Sequence, residues 1–429
     1  MFKKILIGII LFGIIAALLL QIDDDLDPEV AIFLEQAEPA KHSDAYVYLL
    51  GIVAAEDEEP LELGNQLLNA MRQAEDGYKF GDETFEFEAY PEDKKLILPT
   101  GELFCKSWQE GCWQAVFDNK HERDQALKTH AVLLQRYQTF IKTPDYQTLS
   151  KPRLTEVYPP FQYLLKANRL VILSAINKMQ SAKPALAVSE LTEHITSLRQ
   201  HLKSADTVIG KMIFTKMISD NIDALSLIIQ QQDIAVNDAL PPISLPERDL
   251  EIAMAREVAM SYELYSSLDR SPEIFAHAKE GLDNNNSFET PEWVARAAFK
   301  PNMSVNQASL FYKETSARSQ LAQTEFVFAV VERAQPQKLQ IKNWVGSILN
   351  NIAKPNFDQY IAPLFDLNAK IAIFNQTANK VELPSDLSYI QNPYYETGGT
   401  AYYSEEGKSI CLTGPLNDDE KLRCLRVKF

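Results

Sequence analysis

The chain lacks almost every short signature by which a catalytic site announces itself. It has no HExxH, so the usual zincin helix is excluded. It has no GxSxG and no serine three residues before a lysine, which removes the α/β-hydrolase and penicillin-binding patterns. It has no GxGxxG. The stretch VIGKM around Gly210 and Lys211 is not a phosphate loop: the first glycine is missing, and Met212 stands where a Ser or Thr would bind magnesium. Glycine is scarce, 15 in 429 residues, while leucine, alanine, glutamine and glutamate are common, a balance that favours helices over a barrel or sandwich.

Positive charge is also short. The formal charge is −17, and beyond the first 22 residues 40 basic groups face 59 acidic ones, giving −19. Such a surface repels nucleic acid and anionic lipid, and neither is expected as a partner.

Only four cysteines occur: Cys105, Cys112, Cys411 and Cys424. None stands in CxxC or interleaves with histidine, so metal ligation and dithiol redox chemistry are disfavoured. Whether they are staples depends on the compartment. The N-terminus speaks to that. MFKK precedes ILIGIILFGIIAALLL, sixteen apolar residues, followed by Asp23, Asp24, Asp25 and Asp27. Residues 5–22 would rise about 27 Å as a helix, close to the thickness of a hydrocarbon core. Lys3 and Lys4 on one side and aspartates on the other predict a signal-anchor with residues 1–4 cytosolic and the remainder exported from the inner membrane. A cleaved signal peptide competes, but it needs a small-x-small site closing the run; Ala16 and Ala17 are followed by three leucines. No cysteine precedes Cys105, which disfavours a lipoprotein anchor.

In an oxidising compartment local pairing is expected, Cys105 with Cys112 and Cys411 with Cys424. The chain-entropy relation assigns those loops roughly 2.5 and 3 kcal/mol.

The pattern along the chain predicts a mainly α protein. Asp27-Pro28-Glu29 reads as a helix start, running to about residue 38. DAYVYLLGIVA, 44–54, is rich in β-formers and reads as a strand or buried extended segment. Residues 62–76 are helical. TFEFEAY and KKLILPT, within 84–100, read as two short strands turning at Pro91-Glu92-Asp93. Residues 23–104 thus form an expected mixed α/β lobe. A helical domain follows over 105–238, with helices at 120–142, 160–182, 184–202 and 204–232; its hairpin shape is that of a tetratricopeptide unit, without a second copy at a 34-residue period. ALPPISLPE, 239–247, is the expected linker. A second helical domain, 248–385, carries helices at 247–268, 303–334, 340–351 and 357–380, with a polar loop at 281–293.

Residues 386–429 read as a disulfide-stapled antiparallel meander. A turn at Glu406-Gly407 sets Tyr403 opposite Ile410. Cys411 opposite Cys424 then sets Ile410 against Leu425 and Leu412 against Arg423, with Ile410, Leu412, Leu425 and Val427 on one side.

No catalytic, cofactor-binding or metal residues are assigned, and no cofactor is expected. His194 and His201, seven apart with Glu190 one turn before His194, read as a solvated helix face; two turns separate rings that one ion would need close together. His121 and His130 fare no better. EDEEP, 56–60, reads as a solvated loop or helix start, and the tryptophans beside Cys112 as packing for the disulfide.

AYVYLLGIVA, SADTVIGKMI and the tail NPYYETGG…AYYSEEGKSICL resemble single-pass envelope proteins of proteobacteria, a group with no established activity. The resemblance implies location and not chemistry. NPY…SICLTG is also similar to the C-terminal sheet of secretion pseudopilins, but no prepilin cleavage site precedes the apolar run and no glutamate lies in it, so that function is not carried over. The resulting expectation is an anchored, non-catalytic helical ectodomain that binds envelope proteins, with lipid contact through 5–22. The alternative is an envelope hydrolase whose site is assembled from residues distant in sequence.

Overall fold

The computed structural model describes residues 2–78, 85–232, 234, 239–270, 297–331, 338–380, 383–404 and 408–428; within the first helix the side chains at 2–4, 9, 10, 14 and 16–18 are not described. The polar loop expected at 281–293 and the turn at Glu406-Gly407 lie outside these residues.

The chain is mainly helical. Helix α1 is Phe2–Gln21, α2 Pro28–Gln36, α3 Asp44–Leu50, α4 Pro60–Gly77, α5 Cys112–Asp118, α6 Lys120–Thr129, α7 Ala131–Ile141, α8 Phe161–Gln180, α9 Pro184–Ser204 and α10 Val208–Gln232. A short α11, Leu245–Arg248, leads to α12 Glu251–Arg270. Then come α13 Pro301–Gln320, α14 Gln323–Val331, α15 Trp344–Ala353 and α16 Asp358–Thr377. Among the described residues no helix is long and apolar enough to cross a membrane.

The expected mixed lobe is helical where it is regular, a correction with two physical causes. Within the segment 44–54, residues 44–50 are helix and not strand, and turns follow. Ser43 caps the helix by accepting the Tyr46 N–H, and the Asp145 carboxylate accepts the N–H groups of Asp44 and Ala45 at 2.9 and 3.1 Å. A carboxylate on those otherwise unsatisfied donors outweighs the β preference of Tyr and Val. Gly64 lets α4 close on α3: a Cβ there would stand 1.9 Å from the Val47 carbonyl oxygen. The strands expected within 84–100 are also absent among the described residues. Glu92–Lys94 is a 3-10 turn, and Ile97 is 79 % exposed. One backbone bond, Leu96 N–H to the Val53 carbonyl, ties that stretch down. Without a partner strand the ladder that pays for an extended backbone does not form.

The long helices match the expected helical hairpins, with two breaks. The run 120–142 divides at His130, and 303–334 divides after Gln320, where Arg248 donates to the carbonyls of Ser319 and Leu321. Buried Arg123 on α6 donates to the Val116 and Phe117 carbonyls, satisfying the C-terminal end of α5, and reaches Asn177 and Gln180 on α8. Residues 239–247 lie against α9 and α16. Asn375 and Asn368 accept the N–H groups of Leu240 and Ile243, and Arg199 holds the Pro242 carbonyl and the Glu247 carboxylate. One buried apolar cluster runs from Val30 to Val427.

The tail is a three-stranded antiparallel sheet in the order β1 Tyr402–Tyr403, β2 Ser409–Cys411, β3 Cys424–Arg426. Tyr403 faces Ile410, Ile410 faces Leu425, and Cys411 faces Cys424, as the sequence predicts. The Leu412 N–H bonds the Arg423 carbonyl at 3.2 Å, and Ile410, Leu412, Leu425 and Val427 are all buried. Both cysteine pairs lie at disulfide distance, with Cα separations of 5.8 Å for Cys105–Cys112 and 4.0 Å for Cys411–Cys424.

Candidate functional site

Helix α10 is apolar nearly all round, as a central helix must be. Even so it buries Thr215, Ser219, Asn221 and Asp223. Ser219 and Asp223 meet groups from α16 and the tail sheet, while Asn221 bonds Asn168 on α8. Lys370 on α16 donates to the Ser219 hydroxyl at 2.7 Å and to Asp223 Oδ2 at 2.8 Å; Asp223 Oδ1 accepts the backbone N–H of Arg426 at 3.0 Å. This ion pair is buried but fully bonded, the condition under which burial of charge is tolerated.

One turn before Lys370, Asp366 makes the second clamp. Its Oδ1 accepts from Arg423 Nη1 at 3.0 Å and from the Tyr394 hydroxyl at 2.5 Å. Burial pushes the Asp366 carboxyl up to about 7 against the opposing pull of Arg423, and nearby Asp418 adds to the rise. Arg423 remains the charged partner. It also donates to the Leu416 carbonyl at 2.6 Å, and it passes so close to Gly414 that a Cβ there would lie 2.6 Å from its Nη1. Asp418 closes the loop by accepting the N–H groups of Leu422 and Arg423 at 2.7 and 2.9 Å.

Beside this clamp opens a cavity of about 650 Å³. Asp366 and Thr215 line it, with Met212, Tyr360, Pro363 and Leu422 supplying apolar wall. Asp419 and Glu420 stand exposed at its lip, and Lys216 lies on its α10 side. The Thr215 hydroxyl is fully buried and has no hydrogen-bond partner. A concave, mostly apolar site with a few convergent polar groups is what small ligands or single side chains occupy.

The loop 105–113 reaches the same seam. Lys216 bonds Asp220 at 2.5 Å and lies over the Trp108 ring, 4.4 Å from its centre. Arg169 donates to the Cys105 carbonyl at 3.0 Å and to Ser107 at 2.9 Å, and stacks over Trp113 at 5.1 Å. Burial works against ionisation of Asp220, yet Lys216 and Arg169 hold its carboxyl below the ordinary range. Arg426 joins the two cysteine-paired segments through the Trp108 carbonyl at 3.4 Å.

The histidine expectation is corrected. His194 and His201 do not decorate a solvated face; both point inward. His194 Nε2 lies 3.0 Å from the Tyr137 hydroxyl and 3.1 Å from Asn168 Oδ1, and burial, aided by His201, pushes it down to about 4. His201 stacks between Phe140 and Phe214, with ring centres 4.7 and 5.4 Å away. Glu190 turns elsewhere and pairs with Lys178. Sequence spacing carried the signal. Ala187, Leu191, Ile195, Leu198 and Leu202 are buried on the stripe that holds both histidines. Lys211 is buried too, with Nζ on the carbonyls of Pro246 and Glu247, and burial pushes it down to about 8. EDEEP is exposed over 56–59 and enters α4 at Pro60.

Asp366, Arg423 and Thr215 were not singled out by sequence reasoning. With 59 acidic groups no spacing marks Asp366; the one available cue was Arg423, a charge predicted beside the apolar strand face. No family model, no curated protein and no solved structure matches this chain.

Proposed function

We propose that this is a membrane-anchored envelope protein whose helical ectodomain binds a protein partner without transforming it. Residues 5–22 form the anchor: the run is apolar, long enough to span, and flanked by lysines before and aspartates after. The N-terminus then lies in the cytosol and the ectodomain on the outer side of the inner membrane. The observation that carries the binding role is the cavity between α10, α16 and the loop 415–422. Its buried Thr215 hydroxyl lacks a partner, its floor holds Asp366, and Asp419 and Glu420 rim it. Acidic rim, apolar wall and free polar floor suit a Lys or Arg side chain of a partner, whose stem packs on Met212 and Tyr360 while its head meets carboxylates.

A photo-crosslinking residue in place of Tyr360, which is exposed, tests this in intact membranes of the native host. The expected result is a discrete adduct that disappears when Asp419 and Glu420 are both changed to Lys. An adduct indifferent to that reversal, or none, rejects the reading. A reporter fused after Phe429 tests topology separately: activity confined to the cytosol rejects the anchor.

One observation favours the hydrolase alternative. A carboxyl near 7 beside an open cavity has the proton affinity of a general acid or base. Under that reading Asp366→Asn abolishes turnover of an envelope substrate while leaving partner crosslinking intact; under the binding reading the crosslink itself weakens.

A further inference from the structure

Helix α15 is built inside out. Its protein-facing side is polar and its outward side is apolar. Inward, Asn343 donates to the Ser304 hydroxyl at 3.0 Å and accepts the Lys300 N–H at 2.8 Å. Ser347 donates to Gln307 at 3.0 Å, and Asn350 bonds the Ser304 carbonyl at 2.9 Å and the Tyr265 hydroxyl at 2.5 Å. Gly346 permits this close approach to α13, since a Cβ there would stand 2.0 Å from the Ser304 hydroxyl. Outward, Ile341, Ile348 and Ile352 are 89, 37 and 77 % exposed. Within α15, Val345, Ile348 and Ile352 fall on one helical stripe, with Val345 half-buried, and Ile341 stands in the 3-10 turn just before it. Leu339 adds another exposed side chain, 62 % accessible. A surface helix of a water-facing protein has the reverse arrangement.

The position of the stripe says what covers it. The acidic segment that follows α1 is strapped to the body beside it. Asp23 accepts the N–H groups of Asn302 and Met303 at 2.8 and 3.2 Å, on the first turn of α13. Asp24 pairs with Lys342 at 2.9 Å, and Asn306 binds the Asp25 carbonyl at 2.9 Å. Lys342 is the chain neighbour of Ile341. Two residues separate the end of α1 at Gln21 from Asp24, at most about 10 Å of chain. The polar layer of a bilayer outside the hydrocarbon is roughly 6 Å or more deep on each side. The Ile341 end of the stripe thus lies close to where the chain leaves α1.

We propose that the face formed by Ile348 and Ile352 of α15, together with Ile341 of the 3-10 turn that leads into it, inserts into the outer headgroup boundary of the membrane that α1 spans, as a second, interfacial contact that fixes the tilt of the ectodomain. This rests on the anchor reading of α1, and the test separates the two. Full-length protein is placed in nanodiscs of phosphatidylethanolamine and phosphatidylglycerol. The native cysteines are paired, so single variants Ile341→Cys, Ile352→Cys, Phe12→Cys and Leu186→Cys each offer one site for a nitroxide. Oxygen and a charged nickel chelate then compete to relax the label. The chelate is excluded from apolar surroundings, so the oxygen-to-nickel collision ratio at Ile341 and Ile352 is expected to exceed that at Leu186, on exposed α9, by at least about tenfold. The same ratio at Phe12 reports the anchor. Lipid-like values at Phe12 with water-like values at Ile341 and Ile352 overturn this proposal and leave the anchor standing. Labels on α15 that are immobile and shielded from both agents mean that a protein, not lipid, covers the stripe, and also overturn it. A water-like Phe12 rejects the anchor, and the proposal with it.

Discussion

The two cysteine-paired segments are held to the helical body by opposite chemistry. The loop 105–113 presents carbonyls, a hydroxyl and aromatic faces, and the body grips it with cations: Arg169 on the Cys105 carbonyl and Ser107, Lys166 on the Phe104 carbonyl, Lys216 over Trp108. The meander presents donors, the Arg423 guanidinium and the Arg426 backbone N–H, and the body grips them with the carboxylates of Asp366 and Asp223. The loop leaves buried Arg169 Nη1 and Trp113 Nε1 without partners. On the meander side the charged groups are bonded, and Thr215, on the cavity wall, is the unsatisfied hydroxyl. The difference teaches where charge was put to structural use. Interactions between a cation and neutral acceptors tolerate imperfection. A buried ion pair does not, because either half alone is a charge in a low dielectric.

The largest effect expected breaks the meander's clamp. Asp223→Asn strands the Lys370 ammonium, buried beside α10, and should cost about 3–5 kcal/mol in urea unfolding. Arg169→Met removes bonds to neutral acceptors, relieves an unpaired donor and leaves Asp220 paired with Lys216, so its cost should be smaller, about 1–2 kcal/mol. Equal losses, or a larger loss at Arg169, would break the comparison.

Removing the disulfides comes next. Cys411→Ala with Cys424→Ala should cost about 3 kcal/mol, and Cys105→Ala with Cys112→Ala about 2.5 kcal/mol. The sharper measurement is hydrogen exchange, which should rise over 402–427 in the first variant far more than in the helices, since short strands have little core of their own. Non-reducing peptide mapping of protein purified from its native host should recover both pairs. Four alkylatable thiols would contradict them.

How much of this was legible beforehand depended on whether a segment's partner was close in sequence. The meander was readable because a turn, an apolar alternation and two cysteines all selected one register within thirty residues. The long helices were readable from period and proline. The segment 44–50 was not, because its helix is set by Asp145, about a hundred residues away. The extended stretches near 84–100 were misread for the converse reason, since alternation without a partner makes no strand. His194 and His201 carry a local cue, their place on the apolar stripe of α9, which their spacing from one another does not reveal. The cavity could not be foreseen, for Thr215, Asp366 and the 415–422 loop meet only in the fold.

Acidity offers a smaller test. Burial pushes the carboxyls of Glu156, Glu257 and Asp366 each up to about 7. A carboxyl whose folded value lies above its unfolded one contributes stability that is present in acid and lost as pH rises through about 7. Lowering pH from 8 to 6.5 should therefore raise unfolding free energy by about 2 kcal/mol for the three together. His194, held down near 4, works oppositely: its contribution is present above 6.5 and falls away below it, so below 6.5 it offsets about a third of the further gain from the three carboxyls. Asp366→Asn should remove about a third of the rise. A stability that falls monotonically from pH 8 to 6.5 would mean that these groups are ionised and solvated in the native protein.

The smallest effect concerns Thr215. Its hydroxyl is buried without a partner while Ser219, one turn along α10, is bonded to Lys370. Replacing a buried, unsatisfied hydroxyl by a methyl of similar shape removes a desolvation cost and no bond. Thr215→Val should therefore be neutral or stabilising by up to about 1 kcal/mol, whereas Ser219→Ala should destabilise by about 1–2 kcal/mol because Lys370 loses an acceptor. The same Thr215→Val change should weaken the crosslink from Tyr360, if the hydroxyl is kept free for a ligand. Loss of stability at Thr215 would show that a bond is made there in the native protein, and the free polar floor would no longer distinguish the cavity from the rest of the seam.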